Sequence, residues 1–493
     1  MTRREFLTAA AASLPALSCR LSGQTAGTRP NVLFIAVDDL RPELSCYGRS
    51  QIVSPHLDRL AASGMTFTRA YCQQAVCSPS RTSLLTGLRP DSTQVYDLET
   101  HFRSTIPEVV TLPEHFKANG YFVTGIGKIF HGGLNDERSW SEPYLKIDSG
   151  KGYVEEDNLN WVRRLVEARK SQGVQRPGYR ANSFPYEAGD VPDNAYTDGR
   201  MTEIAEGTLE RLSAQSQPFF LAVGFLKPHL PFTCPKRYWD LYDPAAISLA
   251  DNPFAPAGCP PVALHTSGEL RTYRDVPPGS EPIGADLARK LIHGYYACTS
   301  FTDHNIGRLL QKLAALGRER DTLVIVWGDH GWHLGDHGMW CKHSNFECAT
   351  RAPLLLRVPG AASAGATCAA LTEFVDIYPT LCDLAGLSLP PHLEGSSLAP
   401  LVQNPARPWK RAAFSQYPRG SNLSIMGYSM RTERYRYTEW IRQGGALEGV
   451  ELYDYQTDPK GNANLAGRPE HAAQVTQLGA LLHEGWRAAR PPA

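Results

Sequence analysis

The sequence predicts an α/β fold: a large, mainly parallel sheet sandwiched by helices, followed by a small C-terminal α+β unit. Three observations carry this. Asn31–Val37 and Thr322–Trp327 are continuous apolar runs, as a strand buried on both faces requires. Strand-like runs alternate with helical patterns up to about residue 400. The composition then shifts at Pro390-Pro391 and between Pro400 and Pro408, which reads as a linker. The chain thus divides into a leader at 1–28, a main unit at 29–405 and a C-terminal unit at 406–493.

In chain order, Thr2-Arg3-Arg4-Glu5-Phe6-Leu7 and a modest apolar stretch through Leu17 resemble a bacterial twin-arginine export signal. This predicts a periplasmic or secreted protein, with the export machinery as a partner. The apolar part falls short of the roughly 18 residues that a spanning helix needs, as does every other stretch. Ala16-Leu17-Ser18-Cys19 is a faint lipoprotein site, and lipid anchoring is not favoured.

The first strand ends in Asp38-Asp39. Next comes Cys77-Ser78-Pro79-Ser80-Arg81, in which Pro79 suits a helix start and Cys77 sits just before it. Orphan N–H groups and the helix dipole favour an anion there, and Arg81 leans back over the same end. Thr111 and Glu114 form a capping box and Gly120 supplies a C-terminal turn, so a helix precedes the strand Tyr121–Ile126. That strand leads into Gly127-Lys128-Ile129-Phe130-His131. Pro218–Phe225 leads into Lys227-Pro228-His229-Leu230-Pro231, where His229 is expected in an extended loop. Leu291–Leu316 is helical up to Gly317, and the strand after it ends in Gly328-Asp329-His330-Gly331. Trp332, Lys342 and His343 follow. In the C-terminal unit, Met430–Tyr437 and Glu451–Asp454 alternate as half-buried strands do, and a helix closes the chain from about Glu470.

Open α/β sheets bind ligands at the carboxyl ends of their strands. Asp38, Asp39, Asp329 and His330 would therefore meet in one crevice as a divalent-metal site. Oxygen donors argue for calcium or magnesium, while the imidazole leaves manganese and zinc open. Taken alone, Asp38-Asp39 reads equally well as a turn or helix cap. The lysines and histidines could each be solvated or satisfied in the core. It is their recurrence at strand ends that points to a site.

The Cys77-x-Pro79-Ser80-Arg81 segment, with G-K-x-x-H, K-P-H-x-P-F, D-H-G and a later lysine, resembles the type I formylglycine-dependent sulfatases. The phrases Gly127–His131, Lys227–His229, Gly328–Trp332 and Trp340–Phe346 narrow the likeness to the iduronate-2-sulfatase branch, from about Arg29 to Ala466. The resemblance implies an alkaline-phosphatase-like fold with an antiparallel C-terminal sheet. It also implies one Ca2+ on Asp38, Asp39, Cys77, Asp329 and His330. Cys77 would be converted to formylglycine by a formylglycine-generating or anaerobic sulfatase-maturing enzyme. A hydroxyl of its hydrate would attack sulfur, with Arg81, Lys128 and Lys342 stabilising charge. His229 would protonate the leaving alcohol and His131 would take a proton to expel sulfate. Lys227, Trp332 and His343 are candidate substrate contacts. The implied substrate is a 2-O-sulfated uronate or related sugar of a glycosaminoglycan or algal polysaccharide, with residues 141–195 shaping its subsites. Rival readings are a phosphonate monoester hydrolase or phosphodiesterase of the same superfamily, and a non-catalytic carbohydrate-binding homologue.

Composition fits an exported hydrolase. Lys+Arg and Asp+Glu are both 50 among 493 residues, so no global field recruits nucleic acid or membrane. Of 11 cysteines, Cys19 falls in the leader and Cys77 is read as modified, and the rest show no zinc or disulfide framework. Cys341 with Cys348, and Cys368 with Cys382, are possible pairs, free buried thiols being the default.

Overall fold

The computed structural model describes residues 29–145, 152–175, 178 and 181–492. The export signal read at 1–28 lies outside the described residues. Seven strands form the main sheet: β1 (Asn31–Val37), β2 (Met65–Tyr71), β3 (Phe122–Gly127), β4 (Phe219–Phe225), β5 (Thr322–Gly328), β6 (Leu354–Arg357) and β7 (Thr367–Glu373). Their order is β7-β2-β6-β5-β1-β4-β3, and only β6 runs antiparallel to its neighbours. The order reverses on either side of β1, which is where an open sheet parts to form a crevice.

Strand β1 is buried throughout, and its side chains alternate between two cores. Leu33, Ile35 and Val37 face one layer with the helices Pro55–Ser63, Thr197–Ser213 and Ala285–Ala315. Val32, Phe34 and Ala36 face the other, with the helices Cys77–Thr86, Leu112–Ala118 and Ile377–Leu384. Phe34 lies between Phe220 and Trp327, with ring centroids 5.6 and 5.5 Å away. Truncating such a ring to alanine costs about 3–5 kcal/mol, so the sheet is a stiff base for the loops above it.

The capping box at Thr111 and Glu114 is formed. The long helix starts at Ala285, six residues before the expected Leu291, and ends at Ala315. The proline-rich stretch read as a linker is packed: Leu398, Leu401 and Val402 are buried, the last two in the short helix Ala399–Gln403.

Beyond it an antiparallel sheet runs β8 (Ala413–Arg419), β9 (Ile425–Arg431), β10 (Tyr435–Arg442) and β11 (Leu447–Asp454). The helix Ala472–Glu484 packs on it. Met430–Tyr437, read as one strand, is instead the tip of a hairpin in which Arg431 pairs with Arg436. The cause is charge: both arginines reach Glu347, at 3.2 and 2.8 Å, so the chain folds back between them. The turn at 432–434 contains no Gly, Pro or Asn to betray it. The ten described cysteines are free, so neither Cys341–Cys348 nor Cys368–Cys382 is bridged.

Candidate active site

Four strand ends deliver the site. Asp38 and Asp39 leave β1 with both side chains fully buried. The Asp39 N–H donates to Asp329 Oδ1 at 3.0 Å, tying the end of β1 to the end of β5. At the neighbouring strand pair, a Cβ on Gly224 of β4 would lie 2.1 Å from the Lys128 carbonyl oxygen, so only glycine admits the chain there. The Lys128 N–H donates to the Gly224 carbonyl at 2.7 Å, which sets the lysine over the crevice.

Cys77 is the first residue of the helix Cys77–Thr86, and Pro79 the third. The helix thus starts two residues before the expected position, because the third N–H of a helix is also without an internal partner and proline fits there. Cys77 Sγ lies 3.4 Å from Asp38 Oδ1, 3.5 Å from His330 Nε2 and 3.6 Å from Lys128 Nζ. Burial, then the Asp38 charge, pushes its thiol well up, so an unmodified Cys77 stays protonated and is a poor nucleophile.

Donor atoms of Asp38, Asp39, Cys77 and His330 all lie within 4.8 Å of one another. His330 Nδ1 is 2.9 Å from the Gly331 carbonyl, which can only accept, so Nδ1 carries the proton. The Nε2 lone pair then faces Asp39 Oδ1 at 3.4 Å and Asp329 Oδ1 at 3.5 Å. Acceptors gathered in this way fit a cation between them. Asp329 borders this cluster but also accepts from Arg81 Nε at 2.8 Å.

Arg81 lies beneath the cleft rather than in it. It is fully buried, and it also donates to Asp38 at 3.2 Å and to the Lys128 and Ile129 carbonyls. Lys128 Nζ contacts Asp38 Oδ2, while Lys342 Nζ reaches Asp39 at 3.0 Å and Glu269 at 3.0 Å. Burial alone would raise the Asp38 carboxyl, but Lys128, His229 and Arg81 together hold it well below the usual range.

The two histidines face opposite environments. Burial and Lys128 push His131 down to about 3, and its Nδ1 is buried without a partner. Burial would also lower His229, but the Asp39 and Asp38 charges together offset it and raise the imidazole. His229 Nε2 lies 3.1 Å from Glu269, and Nδ1 is 2.6 Å from the Leu230 carbonyl. The His229 loop is a turn and not extended, its N–H donating to the Leu226 carbonyl at 2.9 Å. Asp198 holds it by accepting from the N–H groups of Leu226 and Lys227.

A cleft of about 580 Å3 opens over Asp38, Cys77, Lys128, His131, His229 and Lys342. Lys227 and His343 also line it, and so do Gly152 and Asn182 from the 141–195 stretch. Lys227 Nζ is spent on the His229 carbonyl at 3.1 Å and on that of Pro231. Trp332, a candidate contact, is 1% exposed and lies under Lys342, whose Nζ is 4.9 Å from its ring, so it supports and does not touch a ligand. Sequence reasoning missed Glu269 and His265, both lining the cleft. They sit in an irregular stretch with no strand end to mark them. The C-terminal sheet contributes Arg419, which donates to the His343 carbonyl at 2.6 Å.

Comparison with known proteins gives a consistent match over most of the chain. The sulfatase family profile matches residues 30–387, and that of the N-sulphoglucosamine sulphohydrolase C-terminal region matches 335–487. Iduronate 2-sulfatase of Mus musculus is 35% identical, with 95% of this chain and 95% of that protein covered. A sulfatase of Formosa agariphila is 33% identical, covering 94% of this chain and 89% of its own. The crystal structure of the phosphonate monoester hydrolase of Agrobacterium radiobacter superposes with a TM-score of 0.75 at 26% identity, over 93% of this chain and 96% of the other.

Proposed function

We propose that this chain, which belongs to the sulfatase family, releases inorganic sulfate from a 2-O-sulfated uronate or related sugar of a glycosaminoglycan or algal polysaccharide. The observation that carries the reading is the position of Cys77: first residue of a buried helix, within 3.6 Å of Asp38, His330 and Lys128. In this reading Cys77 is matured to formylglycine, whose hydrate supplies the nucleophile. Asp38, Asp39, Asp329, His330 and residue 77 would hold Ca2+, which supplies charge opposite the sulfate oxygens.

The remaining steps belong to this chain's side chains. Lys128 and Lys342 line the cleft and receive the sulfate oxygens as negative charge grows on them. Arg81 fixes Asp38 and Asp329 in place from below. His229, whose pKa Asp39 and Asp38 raise, gives a proton to the departing sugar oxygen. His131, held neutral with a bare nitrogen, accepts a proton as sulfate is expelled. Environments that push two histidines apart in this way are what paired acid and base roles require. Residues 29–405 supply the chemistry, and 406–493 brace His343 through Arg419. We assign the protein to the bacterial periplasm or exterior, and count a sulfatase-maturing enzyme and the twin-arginine machinery among its partners.

The likeness to a phosphonate monoester hydrolase motivates a second reading, hydrolysis at phosphorus. The higher identity to iduronate 2-sulfatase, over 95% of the chain, favours sulfur. Mass spectrometry of the tryptic peptide Ala70–Arg81, from a host with a maturing enzyme, tests the nucleophile. An aldehyde or its hydrate at residue 77 is expected; a thiol, with a control sulfatase modified in the same host, would turn the reading towards a binding protein. Sulfate and phosphonate release from matched aryl esters decides the second question, a larger kcat/KM on phosphorus overturning the sulfatase assignment.

A further inference from the structure

A second group of metal-binding side chains lies away from Cys77. His333, His337 and Cys348 each present a donor atom, and all three atoms lie within 4.8 Å of one another. Tetrahedral zinc with bonds of about 2.0–2.3 Å sets its donors roughly 3.3–3.8 Å apart, so the three side chains close by up to about 1 Å on binding. His337 is 4% exposed, and its Nε2 lies 2.9 Å from the Lys460 carbonyl. A carbonyl only accepts, so Nε2 carries the proton and Nδ1 is a bare lone pair. That Nδ1 is buried and has no hydrogen-bond partner.

His333 is fully buried. Its Nε2 is 2.8 Å from Ser344 Oγ, and its Nδ1 is 3.2 Å from Cys348 Sγ and 3.1 Å from the Asp336 carbonyl. The Asp336 carbonyl only accepts, so without a metal the proton sits on Nδ1 and Ser344 donates to Nε2; a metal at Nδ1 would shift that proton to Nε2, where the Ser344 hydroxyl accepts it. In that metal-bound tautomer both imidazoles would offer Nδ1 to the ion and hold Nε2–H on an oxygen, a pairing that orients histidine ligands on metals. A cleft of about 530 Å3, lined by His337, Cys348, Arg41, Asp336 and Tyr455 among others, gives a route in and room for a fourth ligand.

We propose that His333, His337 and Cys348 form a zinc site separate from the catalytic metal. Two nitrogens and a thiolate select a softer ion than the carboxylate cluster beside Cys77 does. Binding forms a Zn–S bond and releases the Cys348 thiol proton to solvent. His333 and Cys348 stand at the two ends of a loop that carries Lys342 and His343 into the catalytic cleft. The strand pairing of His333–Leu334 with Trp340–Cys341 closes only part of this loop. Zinc would clasp its base, and thereby hold Lys342 in register.

The test uses calcium-loaded Cys77→Ala protein, which removes the only thiol of the catalytic cluster. Titration with Co2+ is expected to give a thiolate-to-cobalt charge-transfer band saturating at one ion per chain, and Zn2+ should abolish it. Cys348→Ser should lose the band, and His337→Gln should weaken binding by about 100-fold. Zn2+ should also slow iodoacetamide labelling of Cys348, read by peptide mapping, by at least about tenfold while Ca2+ leaves it unchanged. This last measurement needs no change at the proposed ligands. Absence of the band, its survival in Cys348→Ser, undiminished affinity in His337→Gln or labelling indifferent to Zn2+ would each overturn the proposal.

Discussion

The cluster of Arg89, Glu373, Asp376 and Lys410 is as deeply buried as the one around Cys77, yet the two are closed differently. In the first, two cations meet two carboxylates, and each of the four carboxylate oxygens accepts at least one hydrogen bond of 2.9 Å or less. In the second, His131 Nδ1 has no partner and the His330 lone pair points at carboxylates. A closed cluster with matched charge fastens the structure, here joining Arg89 to Lys410 across the boundary drawn at residue 405. An open cluster keeps its affinity for something that arrives later. The Arg89 Nε of the first cluster is also buried without a partner, so what separates the two is that every carboxylate oxygen of the first is matched while the second gathers acceptors around one point.

Breaking each cluster should have opposite consequences. Cys77→Ala is expected to lower kcat for sulfate release by at least about 10^4-fold, while urea unfolding shifts by no more than about 1 kcal/mol. Lys410→Met should do the reverse. It leaves Asp376 and Glu373 buried with a partner lost, at a cost of about 3–5 kcal/mol, while kcat per folded molecule is unchanged. If Lys410→Met instead lowered kcat without loss of stability, the closed cluster would belong to the chemistry and the contrast would fail.

The closed cluster could not be read from the sequence, and the open one largely could. Strand β1 announces itself by seven buried residues in a row, and the acidic pair directly after it, matched by Asp329-His330 at the end of β5, points to a ligand where either pair alone would not. Arg89, Glu373 and Lys410 stand at no such boundary, and their pairing depends on how the sheet edge meets the packed segment before β8. Glu269 was invisible for the same reason, since it approaches His229 and Lys342 from an irregular stretch. The Arg431–Arg436 hairpin was hidden because alternation continues through its turn. Only Glu347, far off in sequence, requires the chain to reverse. Sequence periodicity records what an element does to its own faces, and long-range charge pairing leaves no such record.

His229 sharpens the contrast within the open cluster. His229→Gln should lower kcat by about 10^2–10^4-fold for sugar sulfates and much less for aryl sulfates with good leaving groups, because only the former need a proton. The pH profile carries the sign. In the proposed mechanism His229 acts while protonated, and its pKa lies above the ordinary histidine value, so kcat is expected to fall as pH rises through that pKa. In His229→Gln this alkaline limb should vanish while the acidic side persists. An alkaline limb unchanged in the variant would assign the acid to another group.

The smallest effect separates a residue that lines the cleft from one that holds it. Lys227 is 8% exposed, and its ammonium is occupied by the carbonyls of His229 and Pro231. Lys227→Met leaves two buried carbonyls without their donor, which costs about 1–3 kcal/mol of loop order. Loosening the turn displaces His229 relative to Glu269, so kcat for sugar sulfates should fall roughly tenfold, consistent with about 1.4 kcal/mol. The loss should be smaller for aryl sulfates, as for His229→Gln, and KM should keep its salt dependence. A lysine that instead grips an anionic substrate would raise KM equally for both ester classes and flatten that dependence. The ratio between the two esters thus decides whether the positive charge at residue 227 is part of the cleft's grip or, as its two carbonyl contacts indicate, part of its frame.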